Sequence, residues 1–267
     1  MRAWVSAIAI ALVVASCSAP LSPLRIGLLD WPPYAVARLA AHNGYFGDNI
    51  RIVEFHSPAE AARAYAVGGL DIVAVTLDYS LDLHARDPDH RIILAIDEST
   101  GGDAVISRTD MASLAELAGR RIGVESGALG NHMLSRLMQQ AGLSRADISL
   151  EFFDIPEQAQ AYADGRVDVM ITYEPVRTQL LLAGGHEIFS SQEMPGEIID
   201  VFMARESAIR ARPEDFRRFA TGWFTALADL QQEPLASAEL LAPRLGLSAG
   251  QYLDALRGVR FFSPDDN

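Results

Sequence analysis

The sequence predicts an α/β fold, with two similar Rossmann-like lobes joined by a double hinge. An internal echo carries most of that expectation: Glu54-Phe55 through Thr76 reappears 97 positions later, without a gap, at Glu151-Phe152 through Tyr173. Glu60 falls on Glu157, Ala64-Tyr65-Ala66 on Ala161-Tyr162-Ala163, Gly68 on Gly165 and Asp71 on Asp168. The flanks follow with a slip of one residue, Arg25-Ile26-Gly27 echoing Arg121-Ile122-Gly123 and Gly44 echoing Gly142. Each copy alternates short apolar runs with helical stretches, the pattern of a βαβαβ unit. Two further apolar stretches, Ala104 to Ser107 and Ile199 to Ala204, stand where the chain would cross between lobes and return.

In the first unit Leu24 to Leu29 reads as a buried parallel strand, and Asp30-Trp31-Pro32-Pro33-Tyr34 turns into a helix that Gly44 closes. Ile50 to Phe55 is a strand. Ser57-Pro58-Ala59-Glu60 caps and starts a helix that Gly68-Gly69 ends, and the strand Asp71 to Val75 follows. Leu77 to Arg86 is helical, and Arg91 to Ile96 is a strand. The second unit repeats the scheme with strands at Arg121 to Val124, Ser149 to Phe153 and Asp168 to Ile171. Its helices are Leu129 to Ala141, Pro156 to Ala163 and Pro175 to Ala183. Beyond Glu206 the pattern is helical, with Pro213-Glu214-Asp215 opening a long helix through Leu230 and shorter ones at Ala236 to Leu245 and Gln251 to Leu256. The expected division is therefore 24–103 plus 205–267 for the first lobe and 104–204 for the second.

The amino end reads as an export signal. Met1-Arg2 supplies a positive start, Trp4 to Ala15 is an apolar run too short to span a bilayer comfortably, and Val14-Ala15-Ser16 leads into Cys17. That pattern is of the lipoprotein type, covering 1–17, with the Cys17 thiol accepting a lipid and 18–23 serving as a linker. An ordinary signal cut near Ala19 is the alternative. Cys17 is the only cysteine, so no intrachain disulfide, thiolate metal cluster or cysteine nucleophile is available. The product is expected outside the cytosol, periplasmic or cell-surface, as a monomer touching a membrane through its lipid alone.

All 22 basic residues are Arg, and the formal net charge is -13. Such a balance repels phosphate backbones, and no basic stripe suggests nucleic-acid binding. The six histidines are scattered without metal-ligand spacing, so no metal is expected. No nucleotide-cradling glycine pattern or GxSxG elbow stands at a strand-to-helix turn, and no cofactor is expected.

Ligands of open parallel sheets bind outside the carboxyl ends of the strands. The echo lists those ends in pairs: Asp30, Trp31 and Tyr34 with Glu125, Ser126 and Gly127, then Thr76, Asp78 and Tyr79 with Tyr173 and Glu174. The crossings add Asp103 and Asp200. This set is acidic and aromatic and contains no Arg. Carboxylates accept hydrogen bonds and aromatic faces attract cations, so the cleft suits an amine or amino-substituted heterocycle better than a sulfonate or nitrate. Ser126-Gly127-Ala128 ahead of a helix argues the other way, because its backbone N–H groups could hold an anion. Asp78 and Asp103 also suit helix or turn caps, and Trp31 and Tyr34 also suit lobe-surface packing. Asp71 and Asp168, at strand starts, read as structural.

Leu24-Arg25-Ile26-Gly27, Asp71-Ile72-Val73-Ala74, the Gly101 to Arg108 crossing, the Leu114 to Val124 run and Tyr173-Glu174-Pro175 lie in an order that carries a resemblance. From about Leu24 to Ala228 the chain resembles the substrate-binding proteins of ABC importers for nitrate, sulfonate, taurine and thiamine pyrimidine precursors (NMT1/THI5-like). The resemblance implies the type II periplasmic-binding fold, a small-molecule solute and an ABC permease as partners, and no chemical transformation. Glu197-Ile198-Ile199-Asp200 looks like a branch not committed to sulfonates. Relatives continue with further helices after the region matching Phe261-Phe262. An enzyme on the same fold is the alternative, either a cofactor-free lyase acting on a small acid or a relative of the pyrimidine synthases. The absence of Lys forbids an internal Schiff base, and the synthases' cysteine-rich motif is missing.

Overall fold

A computed structural model describes residues 22–267, so the expected export signal and Cys17 lie outside the described residues. The first unit runs β1 (Leu24–Leu28), α1 (Ala35–His42), β2 (Ile50–Glu54), α2 (Pro58–Ala66), β3 (Ile72–Thr76), α3 (Leu77–Arg86) and β4 (His90–Ser99). The second runs β5 (Asp103–Ser107), β6 (Arg121–Val124), α4 (Ala128–Ala141), β7 (Ser149–Phe152), α5 (Ile155–Ala163), β8 (Val169–Tyr173), α6 (Val176–Leu182) and β9 (His186–Ser190). The chain then returns through β10 (Ile199–Arg205) and ends with α7 (Glu206–Ala211), α8 (Pro213–Gln232), α9 (Pro234–Leu241), α10 (Ala249–Leu256) and β11 (Val259–Phe261).

Local chemistry explains the boundaries. Leu24, Ile26 and Leu28 of β1 are all buried, as a parallel strand covered on both faces requires. The Ser57 hydroxyl accepts the Glu60 N–H at 3.2 Å and Pro58 opens α2, as its cap sequence predicts. Gly142 ends α4 at φ 65, a left-handed turn that glycine adopts without a Cβ clash.

Two sheets result, ordered β11-β4-β10-β3-β1-β2 and β7-β6-β8-β5-β9. The cores match: β2-β1-β3 and β7-β6-β8 are parallel, and each is extended by an antiparallel strand, β10 or β5. That strand belongs to a hinge crossing, so the stretches expected to lie between the units are instead sheet members. β10 pairs with β3 and β4, which moves the return crossing ahead of Ile199 and corrects the expected boundary at 204. Strands β9 and β11, absent from the sequence-based expectation, add the outer edges.

The echo is visible in side-chain detail. Asp71 accepts the backbone N–H and guanidinium of Arg25 at 2.8 and 3.1 Å, and Asp168 does the same for Arg121 at 3.0 and 3.2 Å. Arg205, ending β10, lies over the Tyr65 ring at 4.7 Å, and Arg108, following β5, lies over Tyr162 at 5.1 Å. Asp71 and Asp168 thus tie strand starts together at the edge of each sheet. Around the first sheet the C-terminal helices complete the core, where Trp223 of α8 meets Phe202 edge-on at 5.0 Å and Phe219 stacks near Phe46 at 5.5 Å. Among the described residues no helix is long and apolar enough to cross a membrane.

Candidate functional site

The antiparallel strands decide what reaches the cleft. Because β5 and β10 run against their neighbours, their first residues arrive at the carboxyl edge of the parallel strands. Register pairs Asp103 with Tyr173 in the second sheet, and Asp200 with both Thr76 and Asp97 in the first. Directly opposed residues on adjacent strands share a face, so Asp200 and Asp97 stand side by side.

Between the sheets lies a narrow cavity lined by Trp31, Tyr34, Thr76, Tyr79, Asp103, Tyr173 and Asp200. Leu29, Pro58, Val75, Leu129 and Ile198 complete the wall, so the lining contains neither Arg nor His. Trp31 and Tyr173 meet edge to face across it. The Tyr34 hydroxyl donates to Asp200 Oδ1 at 2.8 Å, and the Trp31 indole N–H faces both Asp97 oxygens at 3.4 Å.

Two carboxyls of the wall, Asp103 and Asp200, and two buried close by, Asp97 and Glu125, are perturbed by burial. Asp200 is pushed up to about 7 by burial and by the charges of Asp103 and Asp78, against a lowering hydrogen bond from Tyr34. Asp103 is pushed up to about 7 by burial, with Asp78 and Glu174 adding to it. Burial lifts Glu125 to about 7 as well, helped by Asp103, Asp154 and Asp78. Asp97, fully enclosed and opposite Asp200, is raised well above the usual carboxylate range.

The expected residues divide by what they touch. Trp31, Tyr34, Thr76, Tyr79, Asp103, Tyr173 and Asp200 converge on the cavity. Glu125 is buried just behind Tyr79, and Gly127 borders the same contact. Four others do not join the cavity wall. Asp30 pairs with Arg38 at 3.2 Å on the border of a neighbouring, larger cleft that also holds His56 and Arg244. Glu174 is buried but engaged, accepting from Arg177 at 2.9 Å and from the Thr178 N–H and hydroxyl at 3.1 and 3.0 Å. It caps α6, and Arg177 supplies the cation that the strand-end pattern omitted. Ser126 is exposed. Asp78 accepts the Tyr79 N–H at 2.8 Å and the Thr76 hydroxyl, the cap role that was its alternative reading.

Asp97 was missed. Its strand was expected to stop at Ile96, which left an acid at the carboxyl end of β4 uncounted; an Asp immediately following a buried apolar run was the available signal. Among the described residues, no group of three or more His, Cys, Asp or Glu is placed to hold a metal ion.

Two sheets of matching strand order around one enclosed cleft define the fold of the type II periplasmic binding proteins. The chain belongs to the NMT1/THI5-like family, whose sequence profile matches residues 31–237. It is 24% identical over 213 residues to a proposed binding protein of Brucella abortus, a match covering 73% of this chain and 63% of that relative. In structure it is similar to the alkanesulfonate-binding protein of Xanthomonas axonopodis pv. citri bound to MOPS, with a TM-score of 0.76 and 20% identity over 92% of this chain and 89% of that one. A desulfurization enzyme shares the fold too, with a TM-score of 0.67 and 18% identity over 92% and 85% of the respective chains.

Proposed function

We propose that the protein is an exported, lipid-anchored receptor that closes its lobes over one small nitrogen-containing solute and delivers it to the permease of an ABC importer. An amine or an aminopyrimidine-like ring suits the cleft better than nitrate or a sulfonate. The observation that carries this reading is the pair of buried carboxyls Asp103 and Asp200 in a cavity without a basic side chain in its wall, with Asp97 buried behind Asp200 and Trp31. A cationic N–H donor satisfies those oxygens, and the faces of Trp31 and Tyr173 offer apolar and cation–π contact. Contacts to strands of both sheets favour the closed state, which is how a ligand shifts a two-state equilibrium. The receptor acts as a monomer.

The test is native mass spectrometry of solute carried through purification, followed by calorimetry with amines, aminopyrimidines, taurine and nitrate. Tighter binding of taurine or nitrate than of every amine would overturn the reading. The shared fold with a desulfurization enzyme favours a second possibility, a cofactor-free enzyme. Product analysis separates the two, since a receptor returns its solute unchanged.

A further inference from the structure

We propose that Tyr79 and Glu125 are the residues that make this cleft reject anions, the Tyr79 phenol of one lobe occupying the helix end on the other lobe where an oxyanion would sit. This deepens the proposed preference for amines and rests on the cleft assigned there.

Helix α4 spans 14 residues and begins at Gly127 with no side-chain cap. Its first N–H groups have no acceptor within the helix, and the aligned peptide dipoles add partial positive charge. Such an end ordinarily holds an oxyanion. Here the place is taken. A Cβ built on Gly127 would lie 2.1 Å from the Tyr79 hydroxyl oxygen and 2.8 Å from Glu125 Oε1, so only a glycine lets the phenol approach this closely. Tyr79 belongs to α3 of the first lobe and Gly127 precedes α4 of the second, so the contact bridges the lobes.

Glu125 supplies the second component. The residue is 4% exposed, and neither carboxylate oxygen has a hydrogen-bond partner. The Tyr79 hydroxyl is likewise buried without one. The Tyr79 phenol faces both the first helix N–H, at Ala128, and the Glu125 carboxyl, so its oxygen stands where that of an oxyanion would. The phenol fills the space, and the Glu125 carboxyl beside it opposes a sulfonate by its bulk and, once ionised, by like charge. An ammonium meets acceptors.

The test compares the parent chain with Tyr79→Ala, Glu125→Gln and the double variant by calorimetry, using ethanesulfonate and ethylamine as probes of matched size. The double variant is expected to gain about tenfold or more in affinity for ethanesulfonate, with a smaller gain from Glu125→Gln alone. Thermal unfolding without ligand shows whether each variant is folded. If Tyr79→Ala is not folded, Tyr79→Ser with Glu125→Gln carries the same expectation. Firm binding of ethanesulfonate by the parent chain, or a folded double variant with no gain, overturns the proposal. Failure of the parent chain to bind any amine would sink the wider functional reading, whereas a gain of ethanesulfonate binding by the variant would still uphold the role of Tyr79.

Discussion

Trp31 and Tyr173 meet edge to face across the cleft, ring centroids 6.0 Å apart and planes at 85°. One follows β1 and the other ends β8, so the pair joins the two sheets where the solute is proposed to sit. Removing the indole by Trp31→Ala deletes an aromatic wall and the donor facing Asp97. Affinity for the bound amine should fall by about 1–3 kcal/mol, read by calorimetry on folded protein. Unchanged affinity would remove Trp31 from the site.

Burial raises Asp103, Glu125 and Asp200 to about 7 in the folded protein, whereas an unfolded chain leaves such carboxyls near 4. Each therefore contributes stability that is fully present at acid pH and is lost as pH climbs through about 7. Thermal stability of the ligand-free protein should decline from about pH 5 to about pH 8. Asp200→Asn should flatten that decline. A bound cation should expel protons near neutrality, measured as a dependence of calorimetric heat on the buffer's ionisation heat. Ligand-free stability that rises over this interval would contradict the burial of these groups.

Glu174 is expected to matter for stability more than for affinity. Glu174→Ala removes the acceptor for the Thr178 N–H and hydroxyl and one partner of Arg177, which retains Glu187 at 2.7 Å. Urea unfolding should show a loss of about 1–3 kcal/mol. Solute affinity of the folded variant should change less than for Trp31→Ala; a larger loss of affinity would return Glu174 to the binding surface.

The echoed glycines give an asymmetric pair of substitutions. A Cβ at Gly27 would lie 2.4 Å from Leu70 Cδ1 and 3.3 Å from Phe55, and one at Gly123 would lie 2.7 Å from Met170 Sδ. Leu70 is branched and fully enclosed, while an unbranched thioether can shift its path. Gly27→Ala should cost about 1–3 kcal/mol in chemical denaturation, and Gly123→Ala less. Equal costs would mean that Met170 is as constrained as Leu70.

Strand and helix order, the caps at Ser57 and Gly142, and the duplicated Arg–Asp ties were legible in the sequence because each is set by residues close along the chain or by the repeat itself. The site was legible in part. Trp31, Tyr34, Tyr79, Asp103, Tyr173 and Asp200 follow from listing strand ends, whereas Asp30 and Glu174 were placed in the cleft although Arg38 and Arg177 engage them. Asp97 is not legible because nothing local marks the end of β4 as lying against Asp200 and Trp31.

By itself, the sequence determined that two like α/β units face one another and that their loops are acidic and aromatic, since periodicity and duplication are properties of the chain. Tertiary structure alone decided which acids are left without a cation. That depends on β5 and β10 entering each sheet antiparallel, a pairing between residues more than a hundred positions apart for Asp97 and Asp200. Register across such a pair, and with it the burial that holds protons on these carboxyls, exists only once the strands are hydrogen-bonded.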